Sequence, residues 1–176
     1  MKETGIFYGS SSGNTETVAM KIFEWIGKDK SSVKDVADSR AGDLLYFDLL
    51  ILGIPTWGIG EMQDDWAVFL AGLEDMDLTG KKVAIFGLGD QESYPDTFSD
   101  ALGTLYDSLS ETGCEIIGSW STLGYEFVES GALRDGMFAG LVLDEENQQQ
   151  LTDLRINDWL KTIIPNGKSE GQPSHI

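Results

Sequence analysis

Four hydroxyls and no cation stand together in Ser10-Ser11-Ser12-Gly13-Asn14-Thr15, between a short apolar run and a segment of helical period. A loop of this kind at a helix N-terminus can hold a phosphate with backbone N–H groups and hydroxyl donors, and Gly13 lets the chain approach closely. It lacks the Lys and the spacing that a nucleoside triphosphate with magnesium requires, so a phosphate bound here would be held and not transferred. A second group, Pro55-Thr56-Trp57-Gly58-Ile59-Gly60, sets a large indole where turns ordinarily carry small polar residues. A flat ring lying against Trp57 would bury apolar area and gain from offset stacking. A third loop, from Gly89 to Asp96, offers Tyr94 for the opposite face of the same ring. Each feature taken singly reads more readily as a capped turn or a packing residue. Together they describe a site for a planar ring with a phosphorylated tail.

Other chemistries find little material. Cys114 is the only cysteine and His175 the only histidine, which excludes an internal disulfide and leaves too few soft ligands for a zinc or iron–sulfur centre. No Ser/His/Asp or Cys/His arrangement is available for nucleophilic catalysis. Gly58-Ile59-Gly60 and Gly87-Leu88-Gly89 lack the later glycine of a dinucleotide fingerprint. No apolar leader follows Met1 and Lys2, and no segment approaches a membrane-spanning length, so the expected location is the cytoplasm.

The elements that must carry these loops follow from the apolar pattern. Gly5 to Tyr8 reads as a buried strand, and Ala19, Ile22, Phe23 and Ile26 then share one helix face that Gly27 ends. A short strand at Val33–Val36 precedes an apolar and therefore central one at Leu49–Ile54, with Pro55 expected to end it. Trp66, Phe69, Leu70 and Leu73 mark a helix, Lys82–Leu88 a fourth strand, and Leu102, Leu105, Tyr106 and Leu109 a further helix. Cys114–Ser119 reads as a fifth strand. The pattern lapses over 120–137, resumes as strand at Phe138–Leu143, and ends in a helix with Ile156, Trp159, Leu160 and Ile163. The expectation is an α/β fold: a doubly wound, five-stranded parallel sheet of order 2-1-3-4-5 with helical crossovers on both faces, its fifth strand interrupted by an insertion. Residues 1–165 form one domain and 166–176 a polar tail. Ligands of such sheets bind beyond the carboxyl ends of the strands, beside the switch point between the first and third, where the three loops lie.

The net charge of −18 is unevenly distributed. Residues 41–133 hold seventeen acidic side chains against Lys81 and Lys82 alone. Such a field repels nucleic acid and anionic membrane, and it speeds encounter with a basic surface.

At the level of motifs, the chain resembles the long-chain flavodoxins over roughly residues 3–165. Ser10 to Thr15 is similar to that family's phosphate loop, Pro55-Thr56-Trp57 to its Pro-Thr-Trp, and residues 87–91 with 94–96 to its Gly-Leu-Gly-Asp-Gln and Tyr-Pro-Asp. Trp120 to Phe127 resembles the insertion that marks the long-chain branch, and Leu143 to Gln148 the stretch before the last helix. The resemblance implies non-covalent flavin mononucleotide (FMN), with Trp57 and Tyr94 on its two faces. It also implies contacts from Pro55, Thr56, Gly58, Ile59, Gly60, Leu88, Gly89, Asp90, Thr97 and Phe98. Gly58 stands where the family often has Asn; its tolerance of positive φ makes its carbonyl the candidate for turning toward the ring when N5 gains a proton. Asp64, Asp65, Asp90, Glu92 and Asp96 are expected to make a second electron harder to add. The function implied is that of a monomeric, low-potential one-electron carrier between a basic flavoprotein reductase and acceptor proteins, nitrogenase among those the family serves. The alternative is a flavodoxin-like NAD(P)H-dependent quinone or nitro reductase, although the stacked Trp57 and Tyr94 leave little room for a nicotinamide. A receiver-type signalling domain would need a phosphoacceptor Asp at the end of the third strand, where Ile54-Pro55 stands.

Overall fold

The computed structural model describes residues 3–10 and 12–165; the polar C-terminal segment, with His175, lies outside them. Strand β1 (Thr4–Tyr8) feeds helix α1 (Asn14–Ile26), which returns to β2 (Ser31–Asp35). Then come β3 (Leu49–Trp57), α2 (Asp64–Ala71), β4 (Lys82–Leu88) and α3 (Asp100–Ser110). The last elements are β5 (Glu115–Ile117), β6 (Leu141–Leu143) and α4 (Thr152–Ile163). The sheet runs β2-β1-β3-β4, with β5 and β6 sharing the far side of β4, every one of these pairings parallel. β5 lies opposite Lys82–Ala84 and β6 opposite Phe86–Leu88, so the two pieces form one interrupted fifth strand.

Alternation along the central strands divides the core. Leu50, Leu52 and Ile54 face α2 and α3, whereas Ile51 faces α1 and α4. Because both faces are covered, β3 and β4 read as continuous apolar runs. Trp159 of α4 is fully buried, packs edge-on against Phe86 and donates from Nε1 to the Gly118 carbonyl at 2.7 Å. Burial of one such large side chain contributes about 1.5–3 kcal/mol.

Three expectations change. Pro55 does not end β3; the strand continues to Trp57, and Pro55 pairs with Leu88. Pairing with β1 stops at Gly53, so from there β3 is an edge on that side, the place where a sheet tolerates a residue without an N–H. The crossover from β2 to β3 is not an α-helix but two short 3₁₀ segments, Val36–Asp38 and Ala41–Tyr46. Ala41, Leu44 and Phe47 recur at three, the 3₁₀ repeat, and pack on the α2/α3 side. Phe138 belongs to a hairpin, Leu133–Arg134 with Met137–Phe138, and only Leu141–Leu143 rejoins the sheet. That hairpin closes an insertion whose Tyr125, Phe127 and Phe138 gather around Phe98 with centroids 5.1–6.0 Å apart. No helix among the described residues is long and apolar enough to cross a membrane.

Candidate functional site

The loops that leave β1, β3, β4 and β6 meet at the carboxyl edge of the sheet around a cavity of about 390 Å³. From the first loop, Ser12, Asn14 and Thr15 line it. Gly13 takes φ 91° as the residue preceding α1, and α1 has no side-chain cap. The first-turn amides thus present the positive end of the helix dipole to whatever fills the space. Ser10 is half-buried and off the cavity; its Oγ accepts from the Gly13 N–H at 3.0 Å and so shapes the turn. Ser11 lies outside the described residues. Glu16, the one acid of the first turn, is engaged by Tyr8, whose hydroxyl donates to it at 2.6 Å. Burial first, and then Glu16, push the Tyr8 phenol well above its ordinary range.

From the second loop, Pro55, Thr56, Trp57 and Gly58 line the cavity. Trp57 sits at the end of β3 in a tight antiparallel pairing with Glu61, and the intervening turn carries Gly58 at φ 46° and Gly60 at φ 78°. The base of that turn is pinned to α3. Thr56 Oγ1 accepts from the Ala101 N–H at 3.1 Å, supplying a cap that α3 lacks from its own Ser99. Ile59 points to solvent and Gly60 packs beside the Asp100 carboxylate; neither lines the cavity.

The third loop brings Leu88, Gly89, Asp90 and Tyr94. Asp90 Oδ1 accepts from the Ser93 N–H at 2.9 Å, and the Tyr94 N–H donates to the Asp90 carbonyl at 2.9 Å, which fixes the turn that presents the phenol ring. Burial pushes the Asp90 carboxyl up, but hydrogen bonds from Ser93, Asn147 and Glu92 outweigh it and hold the group below the usual carboxylate range. Thr97 and Phe98 stand away from the cavity. The Phe98 side chain is fully buried against Tyr125, Phe127 and Phe138 of the insertion, to which its N–H is tied by donation to the Glu129 carbonyl at 3.2 Å. Trp57 and Tyr94 keep 37% and 41% of their surface exposed, large values for such apolar rings beside one cleft.

Two lining residues escaped the sequence reading, Glu145 and Glu146, which follow Asp144 just beyond β6. A strand-like Leu141–Leu143 followed by an acidic turn marks a loop in the sequence, but only the pairing with β4 brings that loop to the cavity. Of the five carboxylates expected near the ring, only Asp90 lines the cavity; Asp65 lines a groove beside α2, and Glu92 a second cavity behind the 90–95 turn. No group of three potential metal ligands occurs among the described residues. Cys114 is off the cavity, with its thiol pushed up by burial.

Comparison with known proteins gives a consistent result. The sequence model of the family described as Flavodoxin matches residues 6–159. Flavodoxin 1 of Escherichia coli (strain K12) is 49% identical over 164 residues, 93% of each chain. The flavodoxin of Synechocystis sp. is 45% identical over 166 residues, 94% of this chain and 98% of that one. The crystal structure of Fusobacterium nucleatum flavodoxin bound to flavin mononucleotide superposes with a TM-score of 0.87 at 36% identity, over 94% of this chain and 99% of that one.

Proposed function

Because the chain belongs to the flavodoxin family, we propose that its cavity binds one FMN non-covalently and that the protein carries electrons between redox partners. The observation that carries the reading is the composition of the cavity. Two aromatic rings, both partly exposed, line it together with an uncapped helix start that brings hydroxyls and no cation. A planar ring with a phosphorylated tail needs both features, and FMN has that chemistry.

FMN, when bound, supplies a ring that takes up and releases electrons singly. The residues of this chain do the rest. Trp57 and Tyr94 would lie against the ring faces and exclude water from them. Ser12, Asn14 and Thr15, with the α1 amides, would hold the phosphate by hydrogen bonds alone, so affinity does not depend on an ion pair that salt would weaken. The Gly58 peptide, in a turn that already requires positive φ, can present either its N–H or its carbonyl to the ring edge. Asp90, Glu145 and Glu146 add negative charge beside the ring and disfavour a further electron. The acidic surface suits a basic reductase as the upstream partner, met as a monomer in a weak and salt-sensitive encounter.

Adding FMN to flavin-free protein tests this reading. Stoichiometric quenching of flavin fluorescence is expected, and Trp57→Ala should weaken binding at least tenfold. A folded protein that leaves flavin fluorescence unchanged would remove the proposal.

A further inference from the structure

Asp144 is completely buried between β6 and α4, yet it does not line the cavity. Its Oδ2 accepts from the Gln91 N–H at 3.0 Å, from Gln91 Nε2 at 2.8 Å and from Asn147 Nδ2 at 2.9 Å. Its Oδ1 accepts from the N–H groups of Glu146 at 3.1 Å and Asn147 at 3.0 Å. Five N–H donors converge on one side chain. A carboxylate, which has acceptors only, meets them all; an amide of the same shape would set its NH₂ against two or three of them, whichever way it turned. Bonds of this charge-assisted kind are among the stronger ones, and a buried donor left without a partner is costly.

What Asp144 holds leads directly to the cavity. Gln91, buried to 4% exposure, follows Asp90 and begins the turn that carries Tyr94. Its Oε1 also accepts from the Glu126 N–H at 2.6 Å, so the insertion closes on the same joint. Asn147 Nδ2 donates to Asp90 Oδ1 at 2.8 Å as well as to Asp144. We propose that Asp144 is a positioning residue of the cofactor pocket: through Gln91 it fixes the segment that presents Tyr94, and through Asn147 it orients the Asp90 carboxylate. The inference rests on the cavity being an FMN site. Loss of the joint leaves the 90–95 turn in its binding shape only part of the time, and apparent affinity falls by that fraction.

The test combines FMN titration of flavin-free wild type, Asp144→Asn, Gln91→Ala and the double variant with hydrogen exchange on the FMN-loaded proteins. The expected result is an FMN Kd raised about tenfold or more by each single change. The double variant should be no weaker than the worse single one, because both remove one joint. Amides of residues 91–94 should exchange faster while those of β1, β3 and β4 keep their wild-type protection. Gln91→Ala leaves the charge unchanged, so a loss seen only in Asp144→Asn would overturn positioning in favour of simple charge. Wild-type affinity in both single variants, or a uniform rise in exchange, would also overturn it. If Asp144→Asn fails to fold, Gln91→Ala decides alone. Failure of the wild type to bind FMN would defeat the functional reading itself, an outcome separate from all of these.

Discussion

Gly58 is the residue whose replacement separates backbone freedom from crowding. A Cβ there meets nothing within 4 Å, so the main cost of Gly58→Val is the strain of a β-branched residue at φ 46°. In an anaerobic titration the variant should accumulate less one-electron-reduced protein; an unchanged yield would exclude the Gly58 carbonyl. Asp90 lines the cavity and stays ionised below the usual carboxylate range. One charge at about 10 Å in an effective dielectric near 40 amounts to about 0.8 kcal/mol, roughly 35 mV. Asp90→Asn should therefore raise the potential of the second electron by that order, and a lowered potential would contradict the electrostatic account. At this scale the sequence was legible where turn chemistry was violated: an indole and a phenol in loops, and hydroxyls before a helix, needed an explanation that packing did not supply. Glu145 and Glu146 were not legible, because only the pairing of β6 with β4 brings that turn to the pocket. Ile59, Thr97 and Phe98 share a loop with true lining residues, but position in a loop does not say which way a side chain turns.

Elements are held to the site by a few specific bonds. Thr56 caps α3 from β3, so Thr56→Val should cost about 1 kcal/mol in urea unfolding, independently of any effect on FMN. Tyr125 anchors the insertion: its hydroxyl donates to the Val142 carbonyl of β6 and accepts from Trp120 Nε1 at 3.0 Å, while Arg155 lies 4.0 Å over its ring. Burial pushes the Tyr125 phenol up to about 12, against the Arg155 charge, which lowers it. The folded state therefore keeps a proton that the unfolded chain releases near pH 10, and stability falls as pH rises from there to about 12. Tyr125→Phe should lower stability at neutral pH and make this alkaline loss shallower, as followed by circular dichroism. Strand order and the four helices were readable because buried parallel strands give unbroken apolar runs and helices give a 3.6 repeat. The 3₁₀ crossover and the insertion hairpin were not, since segments so short carry too few periods to register.

At the scale of the whole molecule, the charge of −18 and the placement of every lining loop at one sheet edge support the proposal of a carrier met by basic partners. Reduction by a basic flavoprotein reductase should slow on raising salt from about 0.01 M to 0.15 M, as the screening length shrinks from about 30 Å to 8 Å. A rate independent of salt would assign the acidic surface to solubility alone. The proposed one-electron cofactor between Trp57 and Tyr94 is tested most directly by stepwise anaerobic reduction of the FMN-loaded protein, followed by its visible spectrum. The account predicts two separate one-electron steps with a distinct spectrum at half reduction; direct bleaching in a single two-electron step would contradict it.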